Sequence, residues 1–577
     1  MAKTKMHKNI TRNTLTAILA LTGTILVADL PSLAKAEPPT PAWTGFRGPE
    51  GTGVWPNAKP PTVWDGGSGK NIRWKAPLAN WGLGQPVVLK GKVFVMSEPG
   101  WKHDWPLLQC FDAATGTLAW EKELNTLDLQ PDLKPDEKAE IKTLLAEIYD
   151  YNRKWYTARF EFALQTPEGH AKGMKLLQEI GFPLTNAVTP NTFAEAIKIP
   201  DDPVKKKTLD QRAAKLAKIG WHSESWHTPG YASGLMCIGH TFPTPVTDGE
   251  RIYIATGYQT YWCFDPEGKM IWGTSSPGST SGDFCNRAKS PILYKNLLIS
   301  DLGDRLRFID KNNGKVLFMS PTNKKGHGMS TTPVIIRVAE TDLVLCAGMD
   351  DVGGLSELFA FRLPDGKAIP VKGWQNPGGS MLVRYDARDT VFFIGGGEHG
   401  GWEKKGGVVP PPAAVKFALS DDTLNATVLW NGVEGGTSKT HGGILYYDGK
   451  LHVNGYLLDA NTGKILAGKP GRNPGASARG NHMQIANGLI YGLTSDGTNG
   501  KMEVFSLDGK SVATNLVPSA KVEGEKRDQI IAQDRVCKDA DKGVVAWQWF
   551  SYSCPFMIHD DSIFIRSNDE LWCIGQK

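Results

Sequence analysis

Residues 245–272, PVTDGERIYIATGYQTYWCFDPEGKMIW, hold a complete structural unit. Pro245-Val246-Thr247 reads as a short strand, and Asp248-Gly249 is a hairpin turn signal. Residues 251–256 alternate apolar and polar side chains, the period of a second strand. Residues 261–264 read as a third, Pro266-Glu267-Gly268 turns the chain, and residues 269–272 form a fourth that ends on Trp272. Four short strands joined by turns make one small twisted sheet, which cannot bury both its faces alone.

The unit recurs. Residues 86–120 carry PVVLKGKVFVMSE and then LLQCFDAATGTLAW, and residues 290–318 carry SPILYKNLLISDLGDRLRFIDKNNGKVLF. Further copies start near Thr332-Pro333, Met381, Gly443, Met483 and Cys554-Pro555. The last copy, residues 554–575, runs out before its fourth strand, whereas Asn71-Ile72-Arg73-Trp74-Lys75 is an unattached strand carrying the Trp expected of one. The expected fold is therefore all-β: an eight-bladed β-propeller of four-stranded blades closed by the N-terminal strand. Closure removes the open sheet edges that would template aggregation. The repeat is most degenerate over residues 380–436.

A helical insertion, residues 125–235, interrupts the propeller of residues 37–577 between its early blades. Ile141, Leu144, Leu145, Ile148 and Trp155 recur with a helical period over residues 135–162. Thr166-Pro167 reads as the cap and first-turn proline of a second helix running to Ile180, and a third is expected over residues 209–219. The helices are expected to cap one face of the ring, and an insertion of this length suits a functional part. The stretch 221–234, WHSESWHTPGYASG, reads as a surface lid, because His222 and His227 stand five apart, which is no ligand spacing.

Residues 1–36 read as a secretory signal peptide: Lys3, Lys5, Lys8 and Arg12, an apolar run over residues 15–30, and Ala34-Lys35-Ala36 as a small-x-small site cleaved after Ala36. The run is shorter than the ~20 residues a membrane span needs and contains Asp29, so no membrane span is expected. The product is expected to be periplasmic or extracellular. The leader accounts for most of the formal charge of +5, and a nearly neutral body excludes electrostatic nucleic-acid binding. Export permits disulfides among the eight cysteines. Cys110, Cys263 and Cys573 occupy one repeat position and read as buried packing residues; Cys237 with Cys285, and Cys537 with Cys554, are candidate bridges. No spacing of Cys and His suggests a zinc site.

The chain leading into each first strand should converge on the ring axis at one end. These lead-ins hold His240, Asn286, Arg287, Lys289, His327, Lys439, His441, Arg479 and His482. Convergent His, Arg and Lys suit a small anionic ligand through charge-assisted hydrogen bonds, and His can act as acid or base. Repeat symmetry alone also places polar residues there without function. Glu398 and His399, in a Gly-rich loop that no helix follows, are weaker acid/base candidates. No carboxylate pair of the kind a glycan hydrolase needs is identifiable.

The turn motifs FDAATGTLAW (111–120), FDPEGKMIW (264–272), FIDKNNGKVLF (308–318) and LDANTGKIL (458–466) resemble the repeat of the pyrroloquinoline-quinone (PQQ) propeller family. The opening WTGFRGPEGTGV (43–54), followed by NIRWKAPL (71–78), resembles exported bacterial PQQ-like repeat proteins. The resemblance implies that the turn Gly and the following Trp are structural, docking one blade on the next. It implies two functional kinds. One is a dehydrogenase that binds PQQ and Ca²⁺ on the axis and oxidises an alcohol or sugar. The other is a non-catalytic scaffold, such as the outer-membrane assembly propeller, that binds a protein or polymer partner. The chain departs from the first in lacking an adjacent Cys-Cys pair and a clear set of calcium ligands. It departs from the second in its helical insertion and in lacking a lipidated Cys. The scaffold reading comes first on these departures, with the quinoprotein as the alternative; a funnel plugged by side chains would count against the latter.

Overall fold

A computed structural model describes residues 43–79, 82, 84–98, 105–163, 166–181, 215–216, 241–276, 289–301, 305–321, 332–349, 355–374, 381–384, 389–394, 413–432, 444–453, 456–468, 483–495, 500–517, 556–567 and 570–576. Their strands form eight sheets, the blades of a β-propeller. Blades 1 to 7 begin at Val87, Val246, Ile292, Val334, Met381, Ile444 and Met483, each built from four antiparallel strands in chain order. Blade 8 takes three strands from residues 556–575. Its fourth is Ile72–Pro77, which pairs with Glu570–Gly575 and sets Trp74 opposite Cys573. The expected ring closure is thus present. The degenerate stretch resolves into Met381–Arg384, Thr390–Ile394, Ala413–Ser420 and Thr423–Asn431. A two-residue parallel addition, Val371–Lys372, lies on the outer strand of this blade.

In blade 2 the second strand, Ile252–Thr256, does not show the alternation expected of it: it is buried along its whole length, as is the third, Thr260–Phe264, whereas the fourth, Met270–Ser275, is largely open. A central strand pressed between two neighbouring blades has no solvent face, so its apolar run needs no polar alternation.

Adjacent blades are docked through the fourth-strand Trp. The indole Nε1–H groups of Trp74, Trp120, Trp272 and Trp430 donate to the carbonyls of Ala113, Pro266, Lys311 and Ala460, at 3.0, 3.1, 2.9 and 2.9 Å. Each acceptor lies in the turn before the next blade's fourth strand. That turn is shaped by its leading Asp: Asp112 Oδ1 accepts from the N–H groups of Ala114 and Thr115 at 3.1 and 2.8 Å. Gly314 shows why the turn needs glycine. Its φ is +76°, and a Cβ there would stand 2.5 Å from the Trp272 ring.

A second stitch runs along the inner ends of blades 1 to 4. Gln85, Thr244, Ser290 and Thr332 each stand two residues before a first strand and are each followed by Pro. Proline has no N–H, so the last donor before the strand belongs to these residues. Gln85 N–H donates to Thr244 Oγ1, Thr244 N–H to Ser290 Oγ and Ser290 N–H to Thr332 Oγ1, at 3.1, 3.0 and 3.4 Å.

The insertion supplies helix α1, Pro135–Ala163, and helix α2, Pro167–Glu179. Thr166 caps α2 as expected, its Oγ1 accepting from Gly169 N–H at 3.0 Å. Lys172 Nζ reaches Glu161 at 2.6 Å and ties the two helices together. α1 seats Ile141, Leu144 and Leu145 against Trp105 and Tyr258, whose rings meet edge to face at 5.1 Å. Trp105 and Tyr258 lie between the second and third strands of blades 1 and 2, at the end of the ring where the first strands begin. Of the expected third helix only Lys215 and Leu216 are described, and residues 221–234 lie outside the described residues. No helix among the described residues is long and apolar enough to cross a membrane.

Cys110, Cys263 and Cys573 are free and buried on third strands, as their shared repeat position predicts, and Cys346 is buried on a second strand. Burial pushes the thiols of Cys110 and Cys263 up to about 12 and that of Cys573 to about 11. Cys237, Cys285, Cys537 and Cys554, the candidate bridge partners, lie outside the described residues.

Candidate functional site

Of the nine residues expected to line the funnel, Lys289 alone is described; it is half-buried and directly precedes Ser290 of the inner hydrogen-bond relay. His240, Asn286, Arg287, His327, Lys439, His441, Arg479 and His482 lie outside the described residues, as do Glu398 and His399.

The described residues place something else on the axis. Thr44–Gly45 forms a small hairpin with Gly48–Pro49 and pairs, through Thr44, with Thr247 on the inner edge of blade 2. Val54–Trp55 pairs in parallel with Ile485–Ala486 on the inner edge of blade 7. First strands line the axis, so residues 44–55 cross it from blade 2 to blade 7 as a strap. Arg47 N–H donates to Gln85 Oε1 at 3.0 Å, and Gln85 Nε2 donates to the Gly45 carbonyl at 3.3 Å. The Arg47 guanidinium donates to the Ile444 carbonyl at the start of blade 6. Trp55 Nε1–H donates to Gln484 Oε1 at 2.6 Å. Gly53, at φ +75°, lies so close to blade 6 that a Cβ would stand 2.5 Å from the Leu445 side chain. The chain then leaves along the opposite end of the ring, where Lys59 N–H donates to the Asp560 carbonyl at 3.2 Å, and runs out to the closing strand.

Gln85 therefore joins the relay to the strap. Replacing it with Ala is expected to lower the unfolding free energy by about 2 kcal/mol, since Arg47 N–H and the Gly45 carbonyl are both left without this partner in a buried place. Equilibrium urea unfolding checks this, and an unchanged midpoint would contradict the link.

Two more charges are enclosed at the same end. Glu98 follows the second strand of blade 1, and its Oε1 accepts from Thr241 N–H at 2.5 Å and from the Thr241 hydroxyl. Arg566 ends the second strand of blade 8 and donates to the Met96 carbonyl of blade 1. Both side chains are shut off from solvent. Burial pulls the Arg566 guanidinium down to about 9, and the negative charge of Glu98 opposes that pull. These groups hold blades 8, 1 and 2 together at the end of the ring where the first strands begin. The axis at the level of the first strands holds the strap, and no group of three or more His, Cys, Asp or Glu able to hold a cation assembles among the described residues.

The strap was not foreseen from the sequence, which marks residues 43–54 only through a family resemblance. Gly45, Gly48, Gly51 and Gly53 carried the signal: such glycine density suits close backbone approach, not a blade strand.

Residues 61–143 and 212–381, less than half of the chain, match the family model described as outer membrane protein assembly factor BamB. No curated protein matches the chain. Similar solved structures include BamB from Moraxella catarrhalis, 10% identical, with 56% of this chain and 82% of that one covered at a TM-score of 0.35. A europium-containing methanol dehydrogenase is 14% identical over 48% of this chain and 71% of its own, at 0.36. The quinohemoprotein alcohol dehydrogenase from Comamonas testosteroni is 10% identical over 90% and 79%, at 0.34. Overlays this loose carry no argument about activity. Eight closed blades, Asp-led turns that receive a Trp from the blade before, and the matched segments lead to one conclusion: the chain is an eight-bladed β-propeller with PQQ-like repeats over residues 61–143 and 212–381.

Proposed function

We propose that the chain is an exported binding propeller, a scaffold that engages a protein or polymer partner through the lead-in face and the helical insertion of residues 125–235. One observation carries this reading. The axis, where a ring of eight blades offers an interior cavity, is crossed by the chain's own residues 44–55. Recognition then falls to the outer surface of that face and to the helices seated on Trp105 and Tyr258. The matched family description, an assembly factor for outer membrane proteins, is consistent with a protein partner. Removal of the leader after Ala36 would release the chain into the periplasm or beyond. The competing reading is a PQQ- and Ca²⁺-dependent dehydrogenase of an alcohol or sugar; two of the similar structures are named as alcohol-oxidising dehydrogenases, one europium-containing and one a quinohemoprotein.

A photo-crosslinking residue placed at exposed Lys175 on α2 is expected to capture a partner in the native compartment, whereas one at exposed Glu250, on the opposite end of the ring, is not. Crosslinks from neither position, together with saturable Ca²⁺-dependent stabilisation by PQQ of about 2.7 kcal/mol at a hundredfold excess over Kd, would overturn the scaffold reading in favour of the dehydrogenase.

A further inference from the structure

We propose that the seam between blades 6 and 7 is an acid-sensitive latch on the axial strap, opened by protonation of His452. His452 lies on the second strand of blade 6, Lys450–Val453, directly opposite Leu445 on the first strand and Leu457 on the third. Residues opposite one another in an antiparallel sheet share a face. Leu445 packs with Ile485, Ile490 and Phe505 of blade 7, so His452 is on the face that meets blade 7. His452 is 7% exposed, and its Nε2 has no hydrogen-bond partner among the described residues. The strap is clipped to this same seam. Gly53 sits against Leu445, Ile485 N–H donates to the Gly53 carbonyl at 2.8 Å, and Arg47 donates to the Ile444 carbonyl.

The charged surroundings do not favour an imidazolium. Lys450, two residues away on the same strand face, disfavours it. On blade 7, Glu503 shares the facing side with Phe505; its Oε1 accepts from Lys501 Nζ at 2.7 Å, and its Oε2 is buried with no hydrogen-bond partner among the described residues. On the first strand Tyr447 shares the face of Leu445, on the third Asp459 stands opposite Lys450, and the strap brings the cation Arg47. Burial and Lys450 together bring His452 down from 6.5 to about 4. A His depressed in the closed seam contributes closure that is complete above pH 6.5 and is lost as pH falls towards 4. The ratio of open to closed seam should then rise roughly a hundredfold between pH 7.5 and 4.5.

The test is hydrogen exchange of residues 43–55 in the full mature chain across that pH range, corrected for intrinsic exchange. The expected result is a roughly hundredfold loss of strap protection in the wild type, absent in His452→Leu and in His452→Gln, while blades 2 and 3 keep their protection. Strap protection that does not change with pH in the wild type overturns the proposal, as does a loss that persists in whichever neutral variant folds. Simultaneous loss in all blades also overturns it, since that is global acid unfolding and not a latch.

Discussion

Replacing Trp74 with Ala is expected to cost about 3–5 kcal/mol, the range for a truncated core aromatic. Trp74 is 9% exposed, and its Nε1–H donates to the Ala113 carbonyl at 3.0 Å. Its ring lies over Gly116 of blade 1 and 5.9 Å from Phe564 within blade 8. Like the other docking tryptophans, Trp74 joins two blades that follow one another in the chain, here through residues 78–86. It differs in lying on Ile72–Pro77, the strand that completes blade 8 from the other end of the chain, so its loss also weakens the anchorage of the closing strand against blade 1. Trp74→Phe is expected to lose far less. Blade 3 already carries Phe318 at this position, seated against Gly366 of blade 4 and stacked on Phe308 at 4.2 Å. Urea unfolding of the two variants decides the matter, and a loss below about 1 kcal/mol for Trp74→Ala would mean that strand pairing alone closes the ring.

The blades were legible because each repeats its own punctuation. Asp248-Gly249, Asp265 with Gly268 and the closing Trp272 fix strand lengths and turn positions locally, and the structure keeps them within a residue or two. Ring closure was legible for the same reason: a strand with Trp at one end of the chain answers a missing strand at the other. The strap was not, because its partners are hundreds of residues away. Arg47 meets Ile444, and Trp55 meets Gln484. Nothing in the spacing of residues 43–55 names either. The buried charges were hidden by their ordinary settings: Glu98 follows Ser97 like any strand-end carboxylate, and only the fold brings Arg566 to it. The funnel residues were chosen from repeat symmetry, which places loops at one end of a ring but cannot say how their side chains are arranged there.

Glu98→Ala is expected to cost about 3–4 kcal/mol, in the range for removing one member of a buried charge pair. The loss has two parts that a second variant separates. Thr241 N–H and the Thr241 hydroxyl both donate to Glu98 Oε1. Glu98→Gln keeps an acceptor for them but removes the charge, so what remains of its loss reports the field on Arg566. That field matters because the guanidinium is fully enclosed, in a gap so narrow that a Cβ on Gly82 would stand 2.7 Å from it. The pH dependence distinguishes a charge effect from lost packing. Burial already holds Arg566 at about 9, and without Glu98 its folded value falls further below the ordinary 12.5. The unfolded chain then binds more protons than the folded one as pH rises, so stability increases with pH in that window. The deficit of both variants relative to wild type should therefore be full at pH 7 and smaller at pH 10. A deficit independent of pH would assign the loss to packing around Thr241 and leave Arg566 satisfied by its backbone contacts.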